Sequence, residues 1–141
     1  MSYKVLINRG GEYHSMLQIA SPTSRYIMRY VPYEWAYPIL KGSKAFVFEY
    51  LKDAQMFAND IHQAIVISSA HNHPSGGAVI FRCRTKGLEK IARCSRYLTA
   101  RYITACWPSI TKSASTMSTP PGTYCTRAVM ITEKVKMEKT C

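Results

Sequence analysis

A chain of 141 residues with a hydrophobic fraction of 47% can bury an ordinary core in one domain spanning 1–141, which excludes wholesale disorder. Nineteen Lys and Arg against eight Asp and Glu leave a net charge of +11. Such an excess costs stability by self-repulsion and points to an anionic partner (nucleic acid, a nucleotide or an acidic protein surface), the competing explanation being a compositional habit of the source. No apolar run approaches the ~20 residues that span a bilayer. Five widely spaced cysteines without a Cys-x-x-Cys pair read as free thiols in a reducing compartment. A cytoplasmic protein without a membrane partner is the expectation.

In chain order, Tyr3 to Ile7 reads as a strand, and Asn8-Arg9-Gly10-Gly11 as the turn of a hairpin returning through Glu12 to Ile19. Ser21-Pro22-Thr23-Ser24 marks another turn, with a strand from Arg25 to Val31. Pro32 to Pro38 is a proline-bounded loop whose Tyr33, Trp35 and Tyr37 alternate. These rings form either an aromatic platform for a base or peptide, or core packing, and core packing is the expectation. Ala45 to Tyr50 is a strand, Leu51 to Asn59 a short helix with Ala54, Phe57 and Ala58 on one side, and Ala64 to Ser69 a β-branched buried strand. A loop from His71 to Gly77 precedes a strand from Ala78 to Arg84.

From Gly87 to Ile103 the spacing predicts a second helix, with Leu88, Ile91, Ala92, Ser95, Leu98, Thr99 and Tyr102 on one arc. Residues 108–122 form a Ser/Thr/Pro-rich loop, of a length that tends to be functional or mobile. Thr123 to Lys136 closes the chain as a strand. Runs of strands with two helices interspersed predict an α+β fold with a mostly antiparallel, twisted sheet.

The charge is clustered. Arg82, Arg84, Lys86, Lys90, Arg93, Arg96 and Arg101 face only Glu89 as an opposing charge within the same stretch. Arg82 and Arg84, two apart on a strand, share a face. On the predicted helix Lys86, Lys90, Arg93 and Arg101 form a stripe that includes Tyr97. Such an array suits a phosphate backbone, and Tyr97 could stack on a base. A solvated helix face is the alternative, but it ordinarily mixes signs at a spacing of four, and here mixing is almost absent.

His71-Asn72-His73-Pro74-Ser75-Gly76 follows the apolar Ala64-Ile65-Val66-Ile67, and two histidines separated by one residue can both reach a zinc ion. This string resembles the metal loop of the JAB/MPN metallopeptidase-like family, in its bacterial RadC branch. The resemblance implies a zinc-dependent hydrolase with His71 and His73 as ligands. The family pattern goes on to a serine and an aspartate, and those positions hold Phe81 and Arg84 here. An arginine repels the metal, which leaves Cys83 as a substitute ligand and Glu12 as the upstream carboxylate. The plainer reading is a Pro-Ser-Gly turn whose histidines bond locally or face solvent, with no cofactor.

Across its length the chain also resembles small proteins of phages, archaeal viruses and mobile elements. The likeness rests on Tyr3-Lys4-Val5-Leu6, on Gly42 to Phe48 running into Leu51 to Ala58, and on Pro120-Pro121-Gly122-Thr123 before an apolar strand. It implies a viral or mobile-element protein that acts by binding, for example as an inhibitor of host defence. A non-enzymatic protein whose basic face engages an anionic partner is therefore the leading expectation. A JAB-like hydrolase and a structural subunit of a viral particle or filament are the alternatives. Homo-oligomerisation is compatible with each.

Overall fold

In the computed structural model, which describes residues 1–15, 28–38, 44–68, 77–91, 93–95 and 116–136, the N-terminal hairpin forms as its glycines dictate. Strand β1 (Ser2–Arg9) returns as β2 (Glu12–His14) with Arg9 opposite Glu12. Gly10 and Gly11 are thus a two-residue loop, with φ of 61° and 89°. Positive φ at both central residues is the turn whose twist matches the flanking strands. The Asn8 side chain accepts a bond from the Gly11 N–H at 2.9 Å and closes it.

Next come β3 (Arg29–Tyr30), β4 (Trp35–Ala36), β5 (Ala45–Phe48) and one helix, α1 (Leu51–Ser68). The chain continues through β6 (Ala78–Lys86), β7 (Glu89–Lys90), β8 (Arg93–Ser95), β9 (Thr116–Ser118), β10 (Thr123–Thr126) and β11 (Ala128–Lys134). Every pairing among the described residues is antiparallel. The main sheet runs β4-β11-β6-β1-β5-β10-β7, with β2 beside β1 and β3 beside β2. The mostly antiparallel sheet expected of an α+β fold is therefore present, with one helix among the described residues.

The sheet curls because two of its strands are bent. Lys86 pairs with Ala128 in β6–β11, and Glu89 and Lys90 pair with Cys125 and Tyr124 in β7–β10. The ladder keeps one register across Gly87-Leu88 and Thr126-Arg127. One ribbon thus lies with β6–β11 beside β1 and, past the bend, with β10 beside β5. Since β5 also touches β1, the two halves come round from opposite sides. The buried Thr126 hydroxyl pins the corner. It accepts from the Lys86 N–H at 3.0 Å and donates towards Lys86 O at 2.7 Å or Ala128 O at 3.1 Å. Gly87 supplies the positive φ of 72° that the bend requires.

Alternation sorts the side chains onto two faces. Leu6, Ala45, Val47, Val79, Phe81, Cys83, Val129 and Ile131 fill the inside of the curl with Met28 and Tyr30. Val5, Ile7, Phe48 and Ile80 point outward and are covered by Ala54, Ala58 and Ile61 of α1. Full burial of each large aliphatic side chain stabilises by roughly 1.5–3 kcal/mol. With both faces covered, β1 and the first half of β6 read as continuous apolar runs.

Several expectations need correction. The helix begins where expected but continues to Ser68, so the strand at Ala64–Ser69 does not form. Extending an established helix costs far less than nucleating one, and that outweighs the modest strand preference of Ile65-Val66-Ile67. The described residues of the second predicted helix, 87–103, are not helical. Residues 89–90 and 93–95 are strands, and 96–103 lie outside the described residues. Backbone partners supplied by Thr123–Thr126 and Thr116–Ser118 override the helical spacing, because propensity is a weak prior that tertiary pairing outweighs. The polar loop at 108–122 contains β9, and the closing strand is broken at Arg127. The returning and following strands at Glu12–Ile19 and Arg25–Val31 are strand only at Glu12–His14 and Arg29–Tyr30 among their described residues.

Candidate functional site

Alternation along β6 separates its inward and outward residues. Phe81 and Cys83 enter the interior, whereas Arg82, Arg84 and Lys86 are exposed on the outer face, beyond the stretch that α1 covers. Pairing then brings aromatics to them. Arg84 lies opposite Met130, and Met130 lies opposite Trp35, so these three form a row across β6, β11 and β4. Tyr37, two residues beyond Trp35, reaches Lys86. The Lys86 ammonium donates to the Tyr37 hydroxyl at 2.7 Å, 4.4 Å from the centre of the Trp35 ring and 5.3 Å from that of Tyr37. Both distances are within cation–π range.

The core packing expected for Tyr33, Trp35 and Tyr37 is thereby overturned. None of the three belongs to either core cluster; Tyr33 is 64% exposed and Tyr37 56%. Tyr33 has a φ of 65°, a left-handed conformation that costs a bulky residue roughly 1–3 kcal/mol. Its N–H donates to Ile131 O at 2.7 Å, which ties the turn to β11 and sets the direction of the segment carrying Trp35 and Tyr37.

The electrostatics of the face are one-sided. Glu89, the sole acid of the basic stretch, is held by Lys44 at 2.6 Å and does not neutralise that stretch. Arg82 meets Glu133 at 3.6 Å, an exposed pair of small energetic weight. Among the described residues no carboxylate pairs with Arg84, Lys86, Lys90 or Arg127. Arg127 was not foreseen as a site residue. Its N–H donates to Lys86 O at 2.9 Å, and its guanidinium lies over Gly87, which places it at the bend next to Lys86. No local pattern marks it, because the ribbon register alone joins positions so far apart.

The remaining predicted residues are more scattered. Lys90 is exposed on β7 opposite Tyr124 and shares the ribbon with Lys86, whereas Arg93 lies opposite Ser118 in the separate β8–β9 pair, so the expected helical stripe is not formed over these residues. Arg96, Tyr97 and Arg101 lie outside the described residues, as do His71 and His73.

Of the other residues invoked for a metal, Cys83 is buried, and burial pushes its thiol up to about 12, against the thiolate a metal requires. Glu12 is engaged by His14 at 3.2 Å and Arg29 at 3.4 Å. Among the described residues no group of three or more His, Cys, Asp or Glu is placed to hold a metal ion. No helix among them is long and apolar enough to cross a membrane.

One further charged group lies inside the curl. Lys4 is buried, donates to Phe46 O at 2.6 Å and sits 5.5 Å from the centre of the Tyr30 ring. Burial lowers its pKa to about 8, partly countered by the neighbouring Cys83 thiol, and the same burial raises the Tyr30 phenol.

Comparison with protein-family models, curated proteins and solved structures finds no match to this chain.

Proposed function

We propose that this chain is a non-enzymatic binding protein that engages an anionic partner, nucleic acid foremost, through the outer face of β6, β11 and β4. One observation carries the reading. Arg84 and Lys86 lie on the same sheet face as Trp35 and Tyr37, with no carboxylate partner among the described residues. A solvated structural face has no need of unneutralised cations interleaved with rings, whereas a phosphate-bearing chain uses both. The net charge of +11 supplies the long-range attraction. A role in a virus or mobile element, such as blocking a host defence that works on nucleic acid, is part of the same proposal and rests on the sequence resemblance. Protein purified gently from cells should carry absorbance at 260 nm that leaves at high salt. A clean protein spectrum, with no salt-sensitive binding to any polyanion, would refute the reading.

A further inference from the structure

Resting on that reading of the face, we infer that its occupant is a single-stranded nucleic acid, with bases stacking on Tyr37 and Trp35 while the linking phosphate meets Lys86. The rings are two residues apart on an extended segment, a step of about 6.6 Å at the rise of a strand. Stacked bases in a duplex advance by only about 3.4 Å and keep their faces against one another. A strand that serves both rings is therefore unstacked and extended, which is how unpaired bases present themselves to aromatic side chains.

The Lys86 ammonium lies over both rings, 4.4 Å and 5.3 Å from their centres, so a strand that stacks there displaces it from the ring faces onto the linking phosphate. Arg84, one position back on the same face, extends the positive track. Met130, half-buried between Trp35 and Arg84, gives the row an apolar floor. A base-free polyanion would use the cations and leave the rings idle.

The test compares a labelled oligothymidylate, a duplex of equal length and heparin by fluorescence anisotropy, with wild-type protein and the variants Tyr37→Ala and Tyr37→Phe. Tyr37 is exposed, so both variants should fold, and thermal melts check this. Tyr37→Ala should weaken oligothymidylate binding about 5- to 150-fold and leave heparin binding unchanged. Tyr37→Phe, which keeps the ring and loses only the hydroxyl, should bind the oligonucleotide like wild type. In a Trp107→Phe background the Trp35 emission should be quenched by oligothymidylate and not by heparin. An equal response of both ligands to Tyr37→Ala, or duplex binding as tight as single-strand binding without quenching, would overturn this inference while leaving a binding role for the basic face. Oligonucleotide binding that is indifferent to Arg84→Glu with Lys86→Glu would overturn both.

Discussion

Replacing Lys4 by Met tests whether the interior of the curled sheet holds a charge at a cost. Folding moves the ammonium from water to a site with one carbonyl partner, Phe46 O at 2.6 Å, and the Tyr30 ring. The resulting fall in pKa from 10.5 to about 8 corresponds to about 3 kcal/mol. Between those values the unfolded chain keeps a proton that the folded chain has released. Stability therefore rises with pH through this window, and below about 8 the folded state carries the whole penalty. Cys83 opposes the trend. Its thiol is raised from 9.0 to about 12, so above pH 9 the unfolded thiol ionises while the folded one does not, and stability falls.

Comparing Lys4→Met with wild type removes the burial part of the Cys83 contribution, which both proteins share, and leaves only the smaller lowering that the Lys4 charge gives the thiol. Losing the bond to Phe46 O shifts the comparison by the same amount at every pH, because the neutral amine also donates. Urea unfolding at pH 7 and pH 10.5 should show the stability of Lys4→Met relative to wild type dropping by about 3 kcal/mol between the two. A difference that does not change with pH would refute the reasoning.

Two further substitutions test the ribbon. Gly122 has a φ of 78°, and a Cβ there would overlap the Asp53 carboxyl of α1, so Gly122→Ala should cost about 2 kcal/mol in chemical unfolding, with partial recovery on adding Asp53→Ala. An unchanged midpoint would remove Asp53 from contact with that turn. Thr126→Val keeps the shape of the bend and leaves the Lys86 N–H without its acceptor, so a loss of about 1–3 kcal/mol is expected, and a neutral result would mean the corner is held by other bonds.

Legibility in the sequence followed the range of the interactions. The Gly10-Gly11 hairpin was readable because a two-residue turn is specified by its own residues. The apolar runs of β1, β5 and β6 were readable because burial on both faces leaves a dense local signal. The segment after Gly87 misled, since a plausible helical spacing was present and its true partners lie at 116–126. Arg82, Arg84 and Lys86 were recognised from local spacing. Their setting was not, because only the β4–β11–β6 register brings Trp35 and Tyr37 beside them. Arg127 carried no local mark, being defined by the break in a strand that the sequence presents as continuous.

The most direct measurement on the central claim is the salt dependence of oligothymidylate binding by wild type and by Arg84→Gln with Lys86→Gln. Each phosphate contact to a single strand contributes about 0.7 to the slope of log K against log salt, so removing two cations should flatten that slope by about 1.4 and weaken binding at physiological salt by more than tenfold, or about 1.4 kcal/mol. An identical slope and affinity in the two proteins would contradict the assignment of this face as the binding surface.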